Sequence, residues 1–251
     1  MPAARFRALF DRRVIVRTAT RLLASLGCIA LLTGAAPRDP ENPTCPATPD
    51  WGSSEAMALT PADRNGKRVL LAEGRIDAGL PDRLKAAIES DPMISEIWLR
   101  SRGGNARAGN EAGRTIRSYR GMLTRIPSGW TCFSACNFVF MGGDRRHVDE
   151  GGVFMVHMFT HTRDRWIIDD AVIDGSQATT ELIASIEQSS ALLATEDNDF
   201  LIRMGISRKL LTDIMYQQQA ISSEDDPSTR YCLSREEVRE YNVMPEERRV
   251  P

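Results

Sequence analysis

Lysine and histidine are scarce in this sequence, and positive charge is not in excess. Its 251 residues include three lysines and three histidines. The formal net charge is −2, which argues against a nucleic-acid-binding protein because no basic excess is available to neutralise a run of phosphates. No pair of cysteines or histidines has the spacing of a zinc finger, so we expect no metal site.

A hydrophobic run long enough to span a membrane is also missing from the N-terminal region. Residues 22–32 are apolar, but this stretch is too short to cross a bilayer comfortably. Six arginines precede it and small residues follow it, which is the pattern of an export signal. We therefore expect residues 1–36 to be a signal peptide and the protein to be exported to the periplasm. A membrane anchor through residues 22–36 is the alternative.

The expected export changes the interpretation of the five cysteines. Removal of the signal segment takes away Cys28 and leaves four cysteines in an oxidising compartment, where disulfides are the usual outcome. Four cysteines allow three pairings. We expect the local pair Cys132–Cys136 and the distant pair Cys45–Cys232, which would fix the C-terminal segment to the domain. Four buried free thiols are the alternative.

The rest of the chain divides into a proline-rich segment and an α/β domain. Six prolines in residues 37–66 disfavour helix and sheet alike, so we expect a linker or an arm lying on the surface. From residue 67 the apolar patterns predict strands at 69–72, 94–99, 122–126 and 153–158, alternating with helices at 80–88, 106–119 and 134–141. After a polar, irregular segment at 159–175 they predict helices at 178–204, 208–219 and 235–241. Alternation of this kind predicts a largely parallel sheet with helical cover over residues 67–245.

One serine and one histidine have positions that suit acyl-transfer chemistry. Ser134 lies at the entry of an apolar helix, in Cys-Phe-Ser-Ala-Cys, and His157 lies in the strand-like segment 153–158. A serine becomes a useful nucleophile when an adjacent imidazole takes its proton. The ordinary alternatives are an N-cap serine and a hydrogen-bonded core histidine. Because His147 lies in a charged turn and His161 in a polar loop, His157 is the better candidate base.

Two further features could complete a site around this pair. Gly103 and Gly104 lie between a strand and a helix, where glycines allow unusual backbone angles and leave amide groups uncovered for an oxyanion. A simple tight turn is the alternative. No acidic residue is singled out by its neighbours, and Asp226, in the loop before Tyr231, is our candidate for the carboxylate that orients the imidazole. The other candidates are Asp225, which is adjacent, and Asp164, Asp169, Asp170 and Asp174, which follow the histidine.

Taken together, these residues resemble the ClpP/crotonase superfamily, and within it exported proteins related to the Clp protease proteolytic subunit. The resemblance runs over residues 69–243 and includes Gly-Arg-Ile at 74–76, Ser-Arg-Gly-Gly at 101–104 and the Leu-Ser-Arg-Glu-Glu segment from residue 233. It implies a ClpP/crotonase-like spiral of strand–strand–helix units with C-terminal helices. Arg102 stands where the family pattern has proline.

The same resemblance assigns roles to the residues of the site. It implies that Ser134 is the nucleophile and His157 the general base. The backbone amides of Gly104 and Ala135 would form the oxyanion hole. The position of the family's third catalytic residue, an aspartate, falls on Arg230 in this chain, which leaves the third member of the triad unassigned by the resemblance.

The resemblance implies a serine hydrolase, peptidase-like, that acts on peptides or small acyl compounds and needs no cofactor. An exported protein meets no ATP, so we expect no ATP-driven unfoldase partner. The family commonly assembles through its C-terminal helices, which implies a homo-oligomer, and the helical stretch at 178–219 is compatible with such an assembly. The alternative is a non-catalytic ClpP-fold binding or assembly protein of the cell envelope, and the missing aspartate agrees with it.

Two other chemistries are disfavoured by the residues available. A Ser–Lys dyad, as in signal peptide peptidases that resemble this fold, would need one of three lysines. Lys67 precedes the first strand and Lys85 lies on an early helix, so neither is well placed, and the third is Lys209. Crotonase-type acyl-CoA chemistry needs no serine–histidine pair, and an exported protein does not meet coenzyme A.

Overall fold

A computed structural model describes residues 37–162 and 164–245 of the chain. The predicted signal segment, residues 1–36, lies outside these ranges. The strands are β1 (Ala58–Arg64), β2 (Lys67–Glu73), β3 (Glu96–Arg100), β4 (Leu123–Ile126), β5 (Thr131–Phe133), β6 (Arg145–Val148), β7 (Val153–Val156) and β8 (Tyr231–Cys232). The helices are α1 (Leu80–Ser90), α2 (Ala106–Ser118), α3 (Cys136–Met141), α4 (Arg165–Ile173), α5 (Ser176–Met204) and α6 (Arg235–Glu240).

Two sheets form the framework of the described ranges. The larger sheet has the order β1-β2-β3-β4-β6, and its pairings are parallel except for that of β1 with β2. The smaller sheet has the order β5-β7-β8, in which β5 and β7 are parallel. Residues 69–72 of β2 are at most 9% exposed, as expected of a parallel strand covered on both faces. The architecture is therefore mixed α/β.

β1 lies within the segment for which the prolines predicted no sheet, and that prediction is wrong for residues 58–64. β1 pairs with β2 along its whole length through the turn at Asn65 and Gly66, which both have positive φ (52° and 74°). Two successive positive φ angles characterise the type I′ turn that closes a tight hairpin. Pro61 is tolerated because β1 is an edge strand, whose outer side needs no N–H partner.

The preceding part of the proline-rich segment, residues 37–57, is called the arm here, and it is fixed to the domain. A disulfide joins Cys45 of the arm to Cys232 of β8. The side-chain oxygen of Asn42 accepts hydrogen bonds from two successive backbone N–H groups, among them that of Arg230 at 2.8 Å. The arm is thus attached to the segment that the resemblance aligns with the third catalytic residue.

The helices α2 and α3 pack closely against each other. A Cβ atom on Gly113 of α2 would lie 2.4 Å from the carbonyl oxygen of Phe138, so this contact requires glycine. Every residue of α3 is buried. The centre of the core contains Ile97 of β3, Phe140 of α3 and Phe154 of β7, each less than 2% exposed. Burial of these aromatic and aliphatic side chains is the main stabilising term for the domain.

The C-terminal part is helical, but its elements differ from the expected ones. The segment expected to be polar and irregular contains α4, because Ile167 and Ile168 face Leu182 and Ile186 of α5 across a small cavity. The stretch expected to be a helix at 208–219 forms a π-helical turn, Leu210–Ile214, and a 3-10 turn, Met215–Gln217. None of the helices within residues 37–162 and 164–245 combines the length and the hydropathy of a membrane span.

Candidate active site

Ser134 occupies a sharp turn between a strand and a helix. β5 ends at Phe133 and α3 begins at Cys136, and Ser134 between them has a φ of 60°. Positive φ is unusual for a residue with a side chain, and it occurs where a functional turn is held in place by its surroundings. The residue at the N-cap position of α3 is Ala135, so Ser134 is not an ordinary N-cap serine. This geometry is that of a nucleophile elbow.

His157 reaches this turn because two parallel strands end side by side. The register of β5 and β7 pairs Phe133 with Met155, and His157 follows the end of β7. The carboxyl ends of adjacent parallel strands lie at the same edge of a sheet. The Nε2 atom of His157 lies 2.7 Å from the Oγ atom of Ser134, which is hydrogen-bonding distance. Both side chains are half-buried, so solvent-borne ligands can reach them.

Three contacts hold the serine turn against the histidine strand. A disulfide joins Cys132 to Cys136 on either side of Ser134. The buried Asn137 side chain donates a hydrogen bond of 2.8 Å to the carbonyl oxygen of Met155 in β7. The ring of Phe133 lies 4.8 Å from the imidazole of His157, centroid to centroid. These contacts restrict the relative motion of Ser134 and His157. A proton transfer between the two side chains requires that they be held at hydrogen-bonding distance.

The glycine turn lies directly against the serine turn. Gly103 and Gly104 have positive φ angles of 83° and 146°. A Cβ atom on Gly103 would lie 2.6 Å from both the Phe133 carbonyl oxygen and the Ser134 Cβ atom. Within the described ranges, the backbone N–H groups of Gly104 and Ala135 donate to no protein acceptor. Two such N–H groups beside a serine are suited to bind a developing oxyanion.

Asp226, the candidate orienting carboxylate, and Arg230, which the resemblance aligns with an aspartate, each contact other residues. The carboxylate of Asp226 accepts hydrogen bonds from the side chain of Gln219 at 3.3 Å and from the N–H of Ser228 at 3.0 Å. Arg230 forms an ion pair with Asp39 of the arm at 3.1 Å. The assignment of Asp226 as the orienting carboxylate stays a prediction.

The remaining candidates lie elsewhere or have structural roles. The four cysteines of the described ranges form the same two disulfides that the sequence favours. Lys67 is engaged in an ion pair of 2.5 Å with Glu96. His147 was expected in a charged turn, but it lies in strand β6, and it contacts Asp149 at 3.3 Å. Among residues 37–162 and 164–245, no group of three metal-ligating side chains comes together.

Asn137 and Phe133 support the site, and sequence reasoning did not identify either of them. Asn137 was recognisable in principle, because it is a polar residue within the otherwise apolar stretch Cys-Asn-Phe-Val-Phe-Met. A polar side chain that is fully buried usually has a specific hydrogen-bond partner. Phe133 gave no such signal, since an aromatic residue before a helix is most often a core residue.

Comparison with known proteins gives no family assignment. No family model matches the chain, and no curated protein matches it. Among solved structures, a point mutant of ClpP1 from Listeria monocytogenes is similar at 14% identity and a TM-score of 0.45, covering 71% of this chain and 91% of that one. A point mutant of 1510-N, a membrane-bound stomatin-specific protease, has 14% identity and a TM-score of 0.42, covering 68% and 73%. The chemistry of the site therefore rests on its own geometry.

Proposed function

We propose that this protein is a serine hydrolase with peptidase-like activity on peptides or small acyl compounds. The observation that carries the proposal is the 2.7 Å contact between Ser134 Oγ and His157 Nε2 at a turn of positive φ. A turn that holds a serine at an unfavourable backbone angle beside an imidazole has a conformational cost that no structural role of this turn explains. A strained turn of this kind between a strand and a helix is expected where a serine acts as a nucleophile.

The reaction begins with proton transfer from serine to histidine. The unprotonated Nε2 atom of His157 accepts the proton of Ser134 as Oγ attacks the acyl carbon, so the neutral imidazole must carry its proton on Nδ1. The backbone N–H groups of Gly104 and Ala135 then stabilise the oxyanion. The imidazolium gives its proton to the leaving group, and a water molecule repeats the sequence to release the acyl group from Ser134.

The wider setting follows from the same proposal. We propose a ClpP/crotonase-like spiral, which agrees with the positions of Gly104, Ser134 and His157 relative to the strands and helices. Two disulfides suit an oxidising compartment, which supports export to the periplasm. Export separates the protein from ATP, so no ATPase partner is proposed. Association into a homo-oligomer is proposed through α4 and α5.

The alternative is a non-catalytic binding or assembly protein of the cell envelope. One observation favours it: Arg230, where the resemblance places an aspartate, forms an ion pair with Asp39 instead of serving a catalytic pair. The loss of an orienting carboxylate typically lowers turnover by about 10⁴-fold without removing it completely. A weak hydrolase and a binding protein are therefore to be separated by measurement of turnover.

Hydrolysis of an activated ester and of short peptides separates the two functions. The purified protein, Ser134→Ala and His157→Ala are compared with Ser90→Ala, in which an exposed serine at the end of α1 is removed. We expect turnover in the unmodified protein and Ser90→Ala, and a loss of about 10³-fold or more in each of the other two. Turnover that is absent, or that is equal in Ser134→Ala, would support the binding function.

A further inference from the structure

The arm contributes to a second apolar cluster that lies beside the candidate active site. This cluster contains Cys45 and Cys232, which form the disulfide, together with Met155 of β7. Trp51, Phe133 and Val153 pack against it. It is distinct from the main core, in which the helices α1 to α3 cover the large sheet. Two of its members, Trp51 and Cys45, belong to the arm.

The cluster leads to His157 through two ring contacts. The ring of Trp51 is stacked on that of Phe133, with centroids 5.8 Å apart and planes 24° from parallel. The ring of Phe133 also contacts the imidazole of His157, with centroids 4.8 Å apart. A contact between aromatic rings contributes about 0.5–1.5 kcal/mol beyond the area that it buries. Phe133 therefore connects Trp51 to the imidazole by two ring contacts.

The neighbouring residue, Asp50, holds Trp51 in this position through a hydrogen bond and an ion pair. The carbonyl oxygen of Asp50 accepts a hydrogen bond of 2.7 Å from the N–H of Thr131, the first residue of β5. Its carboxylate forms an ion pair with Arg100 at 3.0 Å. The arm is thus hydrogen-bonded to the first residue of β5, the strand that leads to Ser134, and the Cys45–Cys232 disulfide attaches it to β8.

We propose that the arm is a positioning element for the catalytic imidazole. Trp51 acts through Phe133 to hold the His157 ring in the orientation in which Nε2 faces Ser134. The Cys45–Cys232 disulfide keeps Trp51 in place. Trp51 is a positioning residue, since it touches neither substrate nor reacting atoms in this scheme. The proposal rests on the proposed hydrolase function for its effect on turnover, but its effect on His157 is independent of turnover.

The test compares Trp51→Ala with Trp51→Phe and with Trp98→Ala. Trp98 of β3 is the control, because its half-buried ring contacts Arg125 of β4 and Trp130, the residue before β5, and it is not one of the rings of this cluster. We expect Trp51→Ala to lower kcat about tenfold or more with little change in KM, because a small misplacement of a catalytic group is costly. Trp51→Phe, which keeps a stacked ring, should recover most of the loss, and Trp98→Ala should stay within about twofold of the unmodified protein.

A second readout follows His157 directly by nuclear magnetic resonance. The protein has only three histidines, so the ring signals of His157 are assigned by comparison with His157→Gln. In Trp51→Ala we expect changed chemical shifts of the His157 ring. Trp98→Ala should leave these shifts unchanged. Should Trp51→Ala fail to fold, Trp51→Leu serves in its place, with the same direction of change.

The outcomes separate this inference from the proposed function. If the unmodified protein turns over substrate, and Trp51→Ala has the same kcat and the same His157 signals, the inference is overturned and the hydrolase function is retained. Absent turnover with shifted His157 signals in Trp51→Ala alone would support the positioning role and reject the hydrolase function. Equal changes in Trp51→Ala and Trp98→Ala would reduce the effect to general destabilisation and overturn the inference.

Discussion

At the scale of single residues, the site depends on two backbone conformations that side chains normally avoid. Ser134 has a φ of 60° and Gly103 a φ of 83°, and the two turns are in direct contact. The strain at Ser134 is tolerated because a disulfide, a helix and the glycine turn surround it. Gly103 is required for space as well as for its backbone angle, since a Cβ atom would meet Ser134.

Gly103→Ala should therefore damage the site more than an equivalent change elsewhere. Gly121 is a matched control, because its φ of 77° is similar but a Cβ atom there would have nothing within 4 Å. We expect Gly121→Ala to lower the free energy of unfolding by about 1 kcal/mol, the cost of the backbone angle. Gly103→Ala should cost about 1–3 kcal/mol more through overpacking. Equal losses in urea unfolding would contradict the close packing of the two turns.

A buried carboxyl group joins α5 to α2. The side chain of Asp197 is 6% exposed and accepts a hydrogen bond of 2.9 Å from Asn110. Burial, and to a lesser extent the charge of Glu196, raise the pKa of Asp197 from 3.8 to about 6 despite this hydrogen bond. Within the described ranges, the side-chain oxygen of Asn110 has no hydrogen-bond partner.

Asp197→Asn should stabilise the protein at neutral pH. The pKa of Asp197 is higher in the folded state than in the unfolded chain, so the unfolded chain loses this proton at lower pH. The free energy of unfolding therefore falls as pH rises from about 4 to about 6, and it stays lower above pH 6. The new amide could also donate to the free oxygen of Asn110. We expect a gain on the order of 1–3 kcal/mol in the free energy of unfolding at pH 8, shrinking towards zero near pH 4.

The matched control for this change is Asp199→Asn. Asp199 lies on the same helix but is exposed and pairs with Arg203 at 2.8 Å. It should show no comparable gain at pH 8. Urea unfolding of both variants across this pH range checks the prediction, and a gain in Asp197→Asn that does not depend on pH would contradict it.

At the scale of elements, the two disulfides constrain very different lengths of chain. Cys132–Cys136 spans 4 residues and braces the serine turn, whereas Cys45–Cys232 spans 187 and attaches the arm to β8. Loop-closure entropy in the unfolded chain predicts a stabilisation of about 2 kcal/mol for the first and about 5 kcal/mol for the second. The long-range disulfide is therefore the larger stabilising element, although the short one is nearer to the chemistry.

Removal of each disulfide by a pair of Cys→Ala substitutions tests this order. The Cys45→Ala, Cys232→Ala protein should lose about 4–5 kcal/mol of unfolding free energy in guanidinium chloride, and the Cys132→Ala, Cys136→Ala protein about 2 kcal/mol. Each pair serves as the control for the other, since both remove two buried sulfur atoms. A larger loss for the short disulfide would show that native-state contacts, and not chain entropy, dominate.

Elements with a recognisable apolar pattern were predictable from the sequence, and the shortest strands were not. β2, α1 and α2 coincide with predicted segments because each has enough residues for an apolar period to be recognised. β5 has three residues and β8 has two, so neither shows a period, and both depend on pairing with β7. α4 was not predicted, because the aspartates of this segment gave it a polar pattern although Ile167 and Ile168 face α5.

The same limit applies to the site. Ser134 and His157 were identified because a serine before an apolar helix and a histidine at the end of a strand are local patterns. The contribution of the arm was not predictable, because the contacts of Trp51 and Asn42 join residues that are far apart in the sequence. Prolines predicted a surface segment, whereas hydrogen bonds to β5 and β8 make it part of the structure.

At the scale of the whole molecule, the surface of α4 and α5 is unusually apolar. Several large hydrophobic side chains on these helices are more than half exposed in the described chain. They are Trp166, Val172 and Ile173 on α4, and Ile183, Leu192 and Ile202 on α5. Exposed apolar side chains of this number on two helices support the proposed homo-oligomer.

Charge placed on this surface should dissociate the oligomer. We expect Trp166→Glu combined with Ile173→Glu to reduce the molar mass measured by size-exclusion chromatography with light scattering to that of one chain. Met93→Glu is the control, since Met93 is 74% exposed on the loop before β3. Its mass should stay that of the unmodified protein. An unmodified protein that is already monomeric at high concentration would contradict the proposed association.

The central claim is that His157 activates Ser134 as a nucleophile, and a fluorophosphonate probe tests it most directly. Mass spectrometry of the labelled protein, with peptide mapping, locates the adduct. We predict one adduct per chain on Ser134, none in Ser134→Ala, and labelling that is at least about a hundredfold slower in His157→Ala. No adduct on the unmodified protein, or an adduct that persists in Ser134→Ala, would contradict the account.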